Sequence, residues 1–285
     1  MPHDDASRIH AVPIDGLASV EAELNYLRPM ADKPYTLAYY TEPGEMPTNA
    51  VYDAHVMPIY DARPLAQTAS LDREGFAFAT RSSAVTDYYD EDQLDGLCHD
   101  EAARLVADLT GASRVQVFDH TLRIRRNDVA DRTPGTARLP VLRVHNDYTE
   151  ISGPQRVRDV LSDEAEELLS RRFAFINVWR PIKGPVVDTP LAVCDARSAP
   201  AQDFIASDMV YKDRKGEIYV NTYSPAHRWF YFPRMTVDEA MLIKCYDSRR
   251  DVARFTAHSA FTDPTTPENA DPRASIEIRT VAFFD

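Results

Sequence analysis

Glycine is scarce in this chain. The 285 residues contain nine, and no two lie closer than fifteen positions apart. That spacing excludes the G-x-G-x-x-G dinucleotide fingerprint, the P-loop and the G-x-S-x-G nucleophile elbow, each of which needs glycines a few residues apart. Cysteine is scarcer still. Cys98, Cys194 and Cys245 are odd in number and widely separated, so neither a disulfide framework nor a C-x-x-C zinc knuckle is expected, and the three are read as free thiols in a reducing compartment. Basic residues are outnumbered, 32 Lys and Arg against 45 Asp and Glu, for a net charge of −13. That balance excludes a nucleic-acid partner, because phosphate binding needs clustered cations. No apolar run approaches the ~20 residues of a membrane span, and the first residues (MPHDDASRIHAVPIDG) include early acidic groups and no apolar core of a signal peptide. A soluble, cytoplasmic protein with no membrane partner is expected.

What is present reads mainly as β-structure. Residues 1–65, rich in Pro and Tyr, are expected to form an N-terminal extension packed on the core, with short strands near Tyr35–Tyr40. Residues 66–285 are expected to form the main domain. Leu94, Leu97, Ala102, Leu105, Val106 and Leu109 recur at helical spacing, and Gly111 follows as a stop. Val115–Phe118, Thr121–Arg125, Leu139–Tyr148, Phe173–Trp179, Leu191–Cys194, Ile218–Tyr223, Ala253–Phe261 and Ser275–Phe284 read as strands, with a polar loop ending at Pro134–Gly135. Ser162–Arg172 reads as a short helix. Thr236–Tyr246 (TVDEAMLIKCY) carries a capping-box start and predicts another. No βαβ rhythm is apparent, so the expected fold is a mainly β jelly roll, cupin-like, with flanking α-helices.

His145-Asn146-Asp147 carries the first chemical signal. Residues i and i+2 of a strand share a face, so the imidazole and the carboxylate can grip adjacent positions of one metal ion. A histidine from another strand would complete a 2-His-1-carboxylate triad, a set suited to non-haem Fe(II) enzymes that bind a co-substrate and O2. His258, 113 residues on, supplies it, and Arg273-x-Ser275 follows fifteen residues later. The Arg fork, with a hydroxyl on the same strand face, suits the distal carboxylate of 2-oxoglutarate. Glu277 and Arg279 continue the alternation and are read as belonging to an ordinary solvated face. His227 is the rival third ligand, but it would lie 46 residues before Arg273, and it is read as a pocket or core histidine instead. His3, His10, His55, His99 and His120 show no acidic partner at useful spacing, although His120 follows Asp119. The same His/Asp/His set would also serve a metal-dependent hydrolase or isomerase, which has no use for Arg273, or a silent ligand-binding barrel.

The runs Asn177–Ser198 (NVWRPIKGPVVDTPLAVCDARS), His227–Ser248 (HRWFYFPRMTVDEAMLIKCYDS) and His258–Phe261 with Asp271–Arg279 (HSAF…DPRASIEIR) resemble the AsaB/CmcJ-type hydroxylase/desaturase family. That family includes the cephem methoxylase small subunit, gibberellin-desaturase-like proteins and fungal natural-product oxygenases. The resemblance covers roughly residues 115–285 and is loose over the first 110. It implies a double-stranded β-helix and an Fe(II)/2-oxoglutarate-dependent dioxygenase that hydroxylates, desaturates or cyclises a small natural product. It carries over His145, Asp147 and His258 as iron ligands, Arg273 and Ser275 as the co-substrate anchor, and Asn177 and Trp179 as candidates to line the site. It leaves room for a homo-oligomer or a partner enzyme, as in the methoxylase system.

Overall fold

The computed structural model describes residues 14–38, 46–125 and 137–285. The loop expected to end at Pro134–Gly135, and His3 and His10, lie outside the described residues. The strands are β1 (Ser19–Leu27), β2 (Tyr35–Leu37), β3 (Tyr52–Asp61), β4 (Phe76–Thr80), β5 (Arg114–Ile124), β6 (His145–Asn146), β7 (Phe173–Lys183), β8 (Leu191–Cys194), β9 (Phe204–Val210), β10 (Lys215–Asn221), β11 (Trp229–Tyr231), β12 (Glu239–Asp247), β13 (His258–Ala260) and β14 (Ala274–Phe283). They form a nine-stranded sheet, in the order β1-β3-β11-β8-β13-β6-β10-β9-β2, and a five-stranded sheet, in the order β4-β12-β7-β14-β5. The larger sheet curls, since Asn25 and Leu27 of β1 bridge to Arg143 and Thr222 beside β6 and β10. The jelly-roll expectation is met: this is a double-stranded β-helix with short helices on its flanks. β1, β2 and β3, within the segment read as an extension, are strands of the larger sheet.

Burial explains the layering. Along β7 the even positions Ala174, Ile176 and Val178 join Ala240, Leu242, Ile276, Ile278 and Ala282 on the outer face of the small sheet. There they pack under Leu94, Cys98, Ala102, Leu105 and Val106, the apolar stripe of the helical segment α1 (Glu91–Gln93), a π-helical turn (Leu94–Cys98) and α2 (His99–Thr110). Gly111 ends α2 in the left-handed conformation (φ +71°) that glycine tolerates best. The odd positions Phe173, Phe175 and Trp179 face the larger sheet and pack with Tyr148, Val193, Phe230 and Met241.

Three local expectations change. Thr236–Tyr246 is not a helix: Thr236 N donates to Glu239 Oε2 at 2.9 Å, so the capping contact forms, but it closes a turn that leads into strand β12. β12 lies between β4 and β7 and is buried on both faces, and such a strand shows no alternation to distinguish it from a buried helix. β7 runs through Pro181 because the register shifts between Ala274 and Ser275, where Lys183 and Pro181 are their successive partners. Leu139–Tyr148 is strand only at His145 and Asn146, and a helix absent from the sequence reading, α3 (Ser152–Leu161), precedes α4 (Ala165–Leu169). Among the described residues no helix is long and apolar enough to cross a membrane.

Candidate metal centre between the two sheets

His145 and His258 are direct cross-strand partners in β6 and β13 of the larger sheet, with ring centroids 4.3 Å apart. Each ring is anchored in the same way. His145 Nδ1 lies 2.9 Å from the Arg143 carbonyl oxygen, and His258 Nδ1 lies 3.0 Å from that of Thr256. A carbonyl oxygen only accepts, so each Nδ1 carries a proton, and Nε2 is the ring nitrogen left available to a metal. Asp147 Oδ1 stands 3.6 Å from His145 Nε2. One ligand atom from each of His145, Asp147 and His258 lies within 4.8 Å of the other two. Asn146, between the first two, is fully buried: its amide donates to the Tyr148 and Cys245 carbonyls at 2.7 and 2.8 Å and accepts from Thr256 N at 3.2 Å. It therefore ties the H-x-D segment to the strand that carries His258.

The second carboxylate oxygen of Asp147 is held by the opposite sheet. Asn177 Nδ2 donates to Oδ2 at 2.8 Å and Arg279 Nε at 3.2 Å. Asn177 and Arg279 are register partners in β7 and β14, and Arg279 in turn faces Asp119 of β5. One rank of the small sheet is thus Asp119, Arg279, Asn177, and the next is Thr121, Glu277, Trp179. Arg279 donates to Asp119 Oδ2 (3.1 Å), Thr121 Oγ1 (2.9 Å) and Glu277 Oε1 (2.5 Å). Glu277 also accepts from Asn177 at 3.2 Å. The face assigned to solvent from alternation alone is therefore the inner wall of the molecule, wet only in the sense that it is polar.

Charge follows from this arrangement. Burial alone would raise the Asp147 carboxyl, but the Arg279 guanidinium, with the Asn177 hydrogen bond beside it, outweighs burial and holds the group well below the carboxylate range. Burial, then the His258 ring, push the His145 imidazole well below its ordinary value, so it is neutral. Two imidazoles and one carboxylate, with one carboxylate oxygen committed to the protein and one open, suit a divalent metal. The donor set fits the ion that the sequence pattern suggested.

Arg273 is buried and stacks 5.0 Å from the Trp179 ring. It donates to Ser275 Oγ at 3.0 Å and to the Thr189 carbonyl at 2.8 Å, yet no carboxylate among the described residues lies in ion-pair range of its guanidinium. Burial, then Arg123, push it down to about 9, so it is still a cation at neutral pH. Glu277 and Asp188 offset part of that charge from a distance, and a buried cation with no carboxylate in direct ion-pair contact favours an anionic ligand. Thr189 adopts φ +47°, a strained conformation for a β-branched residue, and its hydroxyl donates to Asp188 Oδ1 at 2.9 Å. Asn177 Oδ1 and Trp179 Nε1 are buried and, among the described residues, have no hydrogen-bond partner, so each lining candidate offers a polar atom. His227 lies elsewhere. Its Nδ1 meets the Tyr26 hydroxyl and its Nε2 meets Asp203 Oδ2, both at 3.0 Å, so neither nitrogen is open.

Asp119, Thr121, Glu277, Arg279, Asp188 and Thr189 were missed as site residues. Alternate positions 119-121-123 and 273-275-277-279 are polar, and that pattern was the available signal.

The family model described as "Oxidoreductase/YMDC permease-like domain" matches residues 24–283. Hydroxylase/desaturase efuI of Hormonema carpetanum is 30% identical over 288 residues, spanning 94% of this chain and 96% of the relative. Hydroxylase/desaturase asaB of Aspergillus flavus is 42% identical over 137 residues, 43% of this chain and 60% of its own length. The solved structure of the iron and alpha-ketoglutarate-dependent endoperoxidase NvfI superposes with a TM-score of 0.84 at 28% identity, covering 93% of this chain and 98% of that one. With a curled β-helix, a converging His/Asp/His set, and efuI and NvfI matched over almost their full length, the chain belongs to the broad family of Fe(II)/2-oxoglutarate-dependent hydroxylases and desaturases, and it is an oxidoreductase.

Proposed function

We propose that His145, Asp147 and His258 hold Fe(II), that Arg273 with Ser275 receives the distal carboxylate of 2-oxoglutarate, and that the enzyme uses O2 to oxidise an unactivated C–H bond of a small natural product. The observation that carries this reading is the paired presentation of two imidazoles, each anchored through Nδ1, beside one open carboxylate oxygen. The bound metal, co-substrate and O2 together supply an oxidant strong enough to remove hydrogen from carbon. The protein's share is orientation. The Arg143 and Thr256 carbonyls fix the two rings, and Asn177 and Arg279 fix Asp147 through Oδ2, which leaves Oδ1 as the oxygen that would hold the ion. Arg273 offers a fixed fork at the end of a buried wall, where Asn177 Oδ1 and Trp179 Nε1 are open to a ligand's polar atoms. Within the broad family the identity to asaB supports the AsaB/CmcJ-type subgroup. The three buried free thiols support a reducing, cytoplasmic setting. A hydrolase or isomerase built on the same triad would leave the unpaired Arg273 unexplained.

The test is O2-dependent release of succinate from 2-oxoglutarate by purified protein with Fe(II) and ascorbate. Slow release is expected even without the organic substrate. Asp147→Ala should lose both iron and turnover, and an iron-loaded, active Asp147→Ala protein would refute the ligand set. Arg273→Ala should chiefly raise the 2-oxoglutarate concentration needed, and an unchanged requirement would assign that task to another cation.

A further inference from the structure

Imidazoles converge at a second place. His99, which opens α2, and His120, in β5, bring Nε2 and Nδ1 to 2.9 Å of each other. Asp95, four residues before His99 in the π-helical turn, has a carboxylate oxygen 3.9 Å from His120 Nδ1. One ligand atom from each of the three lies within 4.8 Å of the other two. The acidic partner comes at helical spacing, since Asp95 and His99 stand at i and i+4, one turn apart.

This group is separate from the first triad. His120 is the register partner of Ile278, whose side chain belongs to the outer layer beneath α2, while the neighbouring Asp119 pairs with Arg279 on the inner wall. The two histidines now share a single proton across one hydrogen bond, and among the described residues the Asp95 carboxylate accepts no hydrogen bond. Burial, then the His120 ring, lower the His99 imidazole, which keeps it neutral and available as a donor. Zinc bound tetrahedrally by two nitrogens at about 2.0–2.1 Å sets them roughly 3.3 Å apart. The present separation needs to open by only a few tenths of an ångström. Calcium and magnesium prefer all-oxygen sets and are poorly matched to two imidazoles. π-Turns within helices also recur at functional sites.

We propose that Asp95, His99 and His120 form a second metal site, for a zinc-class divalent ion, which pins α2 to β5 on the outer face of the small sheet.

Metal-free protein titrated with Zn2+ against a chromophoric chelator tests this. His120→Asn and His99→Asn should each bind one equivalent fewer than wild type, and the Zn2+-dependent rise in melting temperature should shrink. His258→Asn, at the inner triad, should remove a different equivalent, so the losses in His120→Asn/His258→Asn add. Asp95 is 71% exposed, so Asp95→Asn preserves the fold and should weaken the outer equivalent at least tenfold even if a histidine variant fails to fold. Undiminished stoichiometry and affinity in these variants would overturn the proposal. So would loss of one and the same equivalent in His120→Asn and His258→Asn.

Discussion

Arg279 shows how much of a metal site lies outside its ligands. Its guanidinium is shared between Asp147, Glu277, Asp119 and Thr121, so it sets the angle of the Asp147 carboxylate and offsets its charge without facing the ion. Removing such a partner typically costs 10–100-fold in metal affinity. Arg279→Gln should therefore weaken Fe(II) binding by about 10–100-fold in anaerobic titration, while Asn177 still holds Oδ2. Affinity equal to wild type would show that Asn177 alone suffices. His227→Ala is the contrasting case. It should leave metal binding intact and lower stability by about 1–3 kcal/mol, because the buried Tyr26 hydroxyl, which keeps its bond from Trp229, and the half-buried Asp203 carboxylate each lose their His227 partner. Loss of metal in that variant would return His227 to the ligand set. At this scale the sequence was informative where spacing is short. His145 and Asp147, or Arg273 and Ser275, are two apart on one strand, and the strand period dictates a shared face. Glu277 and Arg279 obey the same period, yet alternation cannot say which face is outside, because a polar wall facing a metal and a polar wall facing water are written alike.

Among the elements, the segment leading into β4 has an unusual constraint. Gly75 sits at φ +87°, and a Cβ built there would lie 2.2 Å from Thr256 Oγ1. Thr256 donates that hydroxyl to the Gly75 carbonyl at 2.9 Å and offers its own carbonyl to His258. Gly75→Ala should thus act twice. It should destabilise the protein by at least about 2 kcal/mol and also reduce metal affinity, read by parallel denaturation and titration; a stability loss with unaltered affinity would separate Thr256 from the His258 anchor. Legibility at this scale followed periodicity. The stripe Leu94 to Leu109 and its Gly111 stop produce the helix the pattern predicts, because one face is apolar and the other is not. β12 was misread because both of its faces are buried, and a capping pair at Thr236 and Glu239 forms equally well in a turn. β9 and β11 escaped notice: β11 is three residues long, and β9 is only half-buried.

For the whole molecule, the jelly roll was legible because strands recur without the helices that a parallel sheet would need. Which strands lie side by side was not, since β8, β11, β13 and β6 are joined by contacts between residues far apart in the chain. The larger sheet provides both histidines, whereas the smaller sheet provides Asn177 and Arg279, which grip Asp147 Oδ2. An ion held by all three side chains is consequently a rivet through two plates. Stripping it with a chelator should loosen them where they meet, so amide deuterium uptake should accelerate in β6, β13 and the Asn177 to Arg279 rank together, while the α2 layer on the far side exchanges at its former pace. Uptake confined to one plate would mean that the plates are joined by their apolar filling alone.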